Sequence, residues 1–188
     1  MEDKKRCPWP LGNDLMIKYH DEEWGVPVHD DRKLFEFFVL DAFQAGLSWQ
    51  TILNKRENFR KAFDNFEFEK IAKYDENDYD RLMDDAGIVR NKLKIQATII
   101  NAQKFLEIQK EFGSFDKYIW HFTDGKVIKS SHTSLDQLPA KIELSDKISK
   151  DLKDRGFKFV GSTIIYAFMQ GSGIVNDHLT DCYMYNEV

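Results

Sequence analysis

The run NKLKIQATIINAQKFLEIQKEF (91–112) places Leu93, Ile95, Ala97, Ile99, Ile100, Ala102, Phe105, Leu106 and Ile108 in a stripe over several turns before Gly113 stops it. An apolar set with that period fits one long α-helix and no strand. Shorter pieces repeat the theme, each behind a residue whose side-chain oxygen can accept a first-turn N–H. Asp30 or Asp31 precedes RKLFEFF, which runs toward Gly46, Ser48 precedes WQTILNKRENFRKAFDN, and Asp75 precedes ENDYDRLMDDA. FEKIAKY reads as a short helix, and Ser114, Ser145 and Ser162 open FDKYIWHF, DKISKDLKDRG and TIIYAFMQGSG. Residues 123–144 have turn signals and weak periodicity, so they are predicted mostly as loop. With no strand-like alternation, repeat or long linker, the pattern predicts an all-α fold and a single domain over 1–188.

A content of 42% hydrophobic and 14% aromatic residues in a 188-residue chain is enough for a real core. The opening MEDKKRCPWP has no apolar stretch behind its charges, and no segment approaches the roughly 20 apolar residues of a membrane span. The chain is therefore expected to be soluble and cytoplasmic, with no membrane partner. The net charge of −5 argues on average against polyanionic partners. Three basic clusters, KRENFRK (55–61), RNKLK (90–94) and KISKDLKDRGFKF (147–159), read from charge alone as solvated helix faces.

The chain holds 2 cysteines at opposite ends. Cys7 lies thirteen residues before His20, and His178 four before Cys182; that spacing on a helix would put the last two on one face. One Cys and one His from each end make a Cys2His2 set suited to tetrahedral zinc, with a structural role because protein fills every coordination position. A Cys7–Cys182 disulfide and two unrelated buried thiols are competing readings, the first without support from any secretory signal.

Asp41 sits in LFEFFVLDAFQAGLSW in step with Leu34, Phe38 and Ala45, on the stripe that should face the core. A lone buried carboxylate costs several kcal/mol unless it is paired. It therefore calls for a partner Lys or Arg, a half-solvated position, or a pocket that binds a cation or hydrogen-bonds a ligand. Trp9, Tyr19, Trp24 and Trp49 lie in nearby turn-rich stretches and suit a pocket that stacks a flat, electron-poor ring.

YHDEEWGVP, QAGLSW, ILNKRENFRKAF, DAGIVRNKLKIQATIINA, RGFKFVGSTIIYAFMQ and VNDHLTDC together resemble the Tag-type 3-methyladenine DNA glycosylases, in register from about Cys7 to Cys182. The resemblance implies a helix-hairpin-helix glycosylase fold of two helical lobes around a cleft, with termini 1–30 and 170–188 joined by structural zinc on Cys7, His20, His178 and Cys182. It implies a monomeric base-excision enzyme that acts on alkylated double-stranded DNA, flips out 3-methyladenine and releases it. Trp9, Tyr19, Trp24 and Trp49 would form the aromatic walls. Two positions depart from the family pattern: Asp41 stands where a base-binding glutamate is usual, and Met16 where a tyrosine is. Asp41 would orient the base as the catalytic residue, one methylene shorter in reach. Leu47 would wedge into the gap left by the base. Gly87, Arg90, Asn91 and Lys92 would hold backbone phosphate in place of the hairpin, with Lys158 near the backbone. The alternative is a lesion-binding homologue of low or altered base specificity, because of Asp41 and Met16.

Overall fold

The computed structural model describes residues 4–188, so the first three residues of the predicted N-terminal segment lie outside it. Its elements are α1 (Asp14–Glu22), α2 (Asp31–Gln44), α3 (Trp49–Ala62), α4 (Phe68–Ile71), α5 (Glu76–Asp84), α6 (Lys92–Phe112), α7 (Phe115–Trp120), β1 (Ile128–Lys129), α8 (Glu143–Asp154), α9 (Ser162–Gly171) and β2 (Val175–Asn176). The two strands form a short parallel pair with Ile128 against Val175. Two residues per strand are too few for alternation to show in sequence. The fold is mostly helical, as expected.

Helix α2 is its axis. Every residue from Leu34 to Phe43 is buried, the pattern of a helix enclosed on all sides. Phe35 packs on Phe68 and Phe105, Phe38 on Phe115, Phe157 and Phe168, and Phe43 on Phe59 and Phe63. These contacts draw α3, α4, α6, α7 and α9 around one helix.

The two candidate caps of α2 divide the work. Asp30 caps α2 by accepting from the Lys33 N–H at 2.8 Å. Asp31 instead receives the Phe115 and Asp116 N–H groups at 2.9 and 2.8 Å, fixing the start of α7. At the other end, buried Lys94 reaches from α6 and donates to the carbonyls of Phe43 (2.8 Å) and Ala45 (2.7 Å). Those are terminal carbonyls that the helix itself leaves without partners.

Several local readings are corrected. Helix α1 follows Asn13, whose side chain accepts from the Met16 N–H; its mixed polarity hid it. Helix α3 stops at Ala62, and Asp64, Asn65 and Phe66 take left-handed φ of 48–58°. Helix α8 begins two residues before Ser145, whose hydroxyl bonds the Ile142 backbone. Gly161, not Ser162, stands before α9. Leu93, assigned to the apolar stripe, is 66% exposed at the first turn of α6. Arg56, inside a run read as a solvated face, is buried.

The ends of the chain meet beside α2. Gly25 N–H donates to the Gln170 carbonyl and Val28 N–H to that of Ser172, at 2.9 and 3.0 Å. Gly173 (φ +72°) comes so close to residues 26–27 that a Cβ would lie 2.3 Å from the Val26 carbonyl carbon, so only glycine fits.

Lys94→Met keeps the apolar stem but leaves the α2 carbonyls unpaired. It is expected to lower unfolding free energy by about 1.5–3 kcal/mol, read as a lower urea midpoint at unchanged m.

Candidate active site

Cys7, His20, His178 and Cys182 are buried together, with their ligating atoms all within 4.8 Å of one another. Cys182 Sγ lies 3.5 Å from His20 Nε2 and 3.6 Å from His178 Nδ1, and Cys7 Sγ lies 3.8 Å from His178 Nδ1. Bonds of about 2.1 Å to nitrogen and 2.3 Å to sulfur in a tetrahedron give edges of roughly 3.4–3.8 Å, so this donor set fits a tetrahedral cation. The remaining ring nitrogens are held as metal-bound histidines usually are: His20 Nδ1 by Asp21 Oδ1 at 2.8 Å, and His178 Nε2 by the Trp24 carbonyl at 2.9 Å. Burial lowers His178 to about 4 and lowers His20 as well, keeping both imidazoles neutral, while it pushes the Cys7 thiol up to about 12. Both cysteines are free thiols, so the disulfide reading does not hold. Residues 177–182 are not helical; a loop, not a helical turn, brings His178 to Cys182.

The cluster lies behind two walls of an aromatic cavity, Trp9 and Trp24. Trp9 packs edge-on to His20 at 5.4 Å between ring centroids, Trp24 on His178 at 4.6 Å, and Trp9 on Trp24 at 5.1 Å. Trp9, Met16, Tyr19, Trp24, Asp41 and Trp49 line one cavity of about 330 Å³. All six residues singled out for a pocket in the sequence thus meet around one space. Met16 and Tyr19 come from α1, Asp41 from α2, and Trp49 from the start of α3, with Tyr19 and Trp49 5.2 Å apart.

Three polar atoms of the residues lining this cavity lack partners. Trp9 Nε1, Trp49 Nε1 and Asp41 Oδ2 are buried without a hydrogen bond among the described residues. Two N–H donors and a carboxyl oxygen left unpaired at one cavity are an arrangement that a bound ligand would complete, because unpaired buried polar groups are rare in folded proteins. The contrast along α2 is sharp. Glu36, also buried, is held by Arg56 Nε at 2.5 Å and by Arg60 at 2.8 Å. No Lys or Arg among the described residues pairs with Asp41, so burial pushes its carboxyl well above the usual aspartate range, opposed only by the field of Arg56.

Leu47 is 37% exposed, in the turn made by Gly46 (φ +83°) between the cavity residues Gln44 and Trp49. Gln44, which lines the cavity, brackets it by donating to the Leu47 carbonyl at 3.0 Å. Arg90, Asn91, Lys92 and Lys158 are exposed. Asn91 is the N-cap of α6, accepting from the Lys94 N–H at 3.1 Å. Asn101 exchanges two bonds with the Lys158 backbone at 2.9 and 2.8 Å. Since Lys94 and Asn101 are two turns apart on α6, one stripe anchors both the Leu47 turn and the Lys158 segment. Gly87 differs from expectation: its N–H is taken by Asp85 Oδ1 at 2.7 Å and its carbonyl by Lys55 at 3.1 Å, so its backbone is already engaged. Leu135 and Leu138, from the loop region, and Ala167 and Gln170, from α9, also line the cavity without having been anticipated. Isolated apolar residues in a loop carry no periodic signal.

The methyladenine glycosylase family model matches residues 9–185. DNA-3-methyladenine glycosylase 1 of Escherichia coli (strain K12) is 47% identical over 181 residues, 96% of this chain and 97% of that one. A crystal structure of 3-methyladenine DNA glycosylase I superposes with TM-score 0.92 at 49% identity, covering 95% of this chain and 98% of the other. A variant of such an enzyme in complex with 3-methyladenine superposes with TM-score 0.92 at 35% identity, covering 95% and 96%.

With its carboxyl raised, Asp41 supports the fold fully below the unfolded aspartate pKa of about 3.9, and that support is lost as pH rises toward the raised value. Asp41→Asn cannot ionise and should melt above wild type at neutral pH, with the gap closing below about pH 4. Calorimetry across pH measures it; parallel curves would mean that ionised Asp41 costs the fold nothing.

Proposed function

Because the chain belongs to the methyladenine glycosylase family, we infer that it is a DNA-3-methyladenine glycosylase, a hydrolase of base-excision repair that cuts the N-glycosidic bond of 3-methyladenine in alkylated DNA. The observation that carries this reading to the site is the aromatic cavity with its unpartnered Asp41 carboxyl and two unpartnered indole N–H groups.

N3-methylation makes the adenine cationic and its bond to C1′ weak. The flipped base enters a space walled by Trp9, Tyr19, Trp24 and Trp49, whose π faces attract a cation. Asp41, ionised beside that cation, accepts a hydrogen bond from the base edge and orients it. The bonding pair leaves with the base, which departs as neutral 3-methyladenine. Water adds its oxygen to C1′ and gives up a proton to solvent. Positive charge passes from the base to the sugar as the bond breaks, so the cation-attracting walls select and orient the lesion, and acceleration comes from contacts that strengthen as that charge moves toward C1′. Met16 adds apolar contact without a ring face, so the combination of Met16 and Asp41 tunes base range.

Cys7, His20, His178 and Cys182 would hold zinc in a structural role, at a distance from the reacting atoms, by fastening residues 1–30 to 170–188 in one domain of two lobes. The fit of their donor-atom spacings to a tetrahedron supports this. Leu47 would fill the gap left by the base, and exposed Arg90, Asn91, Lys92 and Lys158 would approach backbone phosphates, with Gly87 shaping the turn. The enzyme would act as a cytoplasmic monomer; among the described residues, no helix is long and apolar enough to cross a membrane.

Incubation with alkylated DNA should release 3-methyladenine; chromatography of the freed bases decides, and no release above a heat-killed control would sink the enzymatic claim. Asp41→Asn should lower release on the order of 10²-fold, the usual cost of losing one preorganised charge-stabilising group, while Asp41→Glu preserves or raises it. Purified protein should carry one zinc per chain. Stripping it should lower the melting temperature; lost activity with an unchanged melting curve would contradict the structural role.

A further inference from the structure

We propose that Gln170 is a specificity-determining residue for the base, and that Asp177 is the positioning residue that sets which end of the Gln170 amide faces the pocket. The proposal rests on the glycosylase reading and extends it to a site residue.

Gln170 and Ala167 are three apart on α9, share one helix face and line the same cavity as Asp41 and Trp49. Gln170 Nε2 donates to Asp177 Oδ2 at 2.7 Å. Asp177 is 1% exposed and takes the Tyr166 hydroxyl on the same oxygen. Its other oxygen, Oδ1, has no hydrogen bond among the described residues, and the nearest basic group is His132 Nε2 at 4.0 Å.

An amide side chain can normally turn over, because its oxygen and nitrogen ends have the same shape. Here it is locked. A carboxylate only accepts, so the NH2 end must face Asp177, and Oε1 is left as the acceptor Gln170 offers to a ligand. An acceptor on this wall favours a base with an amino group at the facing edge. Adenine carries an exocyclic amine on its six-membered ring, where guanine carries an oxo group. The oxo group would meet Oε1 acceptor to acceptor, leaving both unsatisfied. The Asp177–Gln170 pair therefore selects 3-methyladenine against 3-methylguanine.

The test titrates free 3-methyladenine and 3-methylguanine into full-length, metal-loaded protein and follows the fluorescence of the cavity tryptophans. Wild type should prefer 3-methyladenine. Gln170→Leu removes the acceptor at similar volume and should reduce the preference about tenfold, the scale of one hydrogen bond. Asp177→Asn offers an NH2 group to Gln170, letting its amide turn over, and should reduce the preference at least as far. Zinc content and melting temperature show that each variant is folded. An unchanged preference in folded Gln170→Leu overturns the specificity role. An unchanged preference in Asp177→Asn overturns the positioning role. Should Asp177→Asn not fold, slow hydrogen exchange of the Gln170 side-chain amide in wild type supports that role and fast exchange overturns it. Wild type that prefers 3-methyladenine yet releases none from DNA would sink the glycosylase reading while leaving this one standing.

Discussion

A helical stretch enclosed on every side has no solvated face on which to place a charge, and the buried part of α2, Leu34–Phe43, carries two. Glu36 is matched by Arg56 and Arg60; Asp41 is matched by nothing among the described residues. The unmatched acid survives because the surrounding packing overdetermines α2: its phenylalanines interlock with rings from five other helical segments, its start is capped by Asp30, and its last carbonyls are held by Lys94. A rigid axis can carry an uncompensated carboxyl at a fixed point, and the cavity forms around that point.

The Cys/His cluster stands in contact with the pocket without belonging to its chemistry. Its imidazoles form the surface on which Trp9 and Trp24 pack, so closing the chain ends over the cluster also sets two walls of the cavity. Closure of a loop spanning nearly the whole chain restricts the unfolded state strongly, and a cation on four buried donors would turn that closure into folding free energy. Architecture and recognition are coupled here through ring-to-ring contact.

Much of this was legible in the primary sequence, for identifiable reasons. Cap residues with apolar periodicity located most of the helices, because caps and amphipathicity act within a few residues. Five of the six pocket residues were legible because four are aromatic in short turn-rich stretches and one is an acid in an apolar run, and Met16 came only through the family resemblance. Helix α1 was missed because its residues mix polarity turn by turn, and Leu93 was misassigned because a stripe does not reveal where its helix leaves the core. Leu135, Leu138 and Gln170 were unreadable as pocket residues because each owes its position to a segment distant in the chain.

By itself the sequence determined the helical class, the family and the donor types of the cluster, since these depend on residue identity and local spacing. Only the tertiary structure decided which of the two buried acids on α2 is left unpaired. Glu36 and Asp41 both interrupt apolar sequence, and nothing near them distinguishes them. The difference lies in Arg56 and Arg60, which approach α2 from α3 on one side only. Pairing is a matter of which helix packs where, and that is fixed by the whole core.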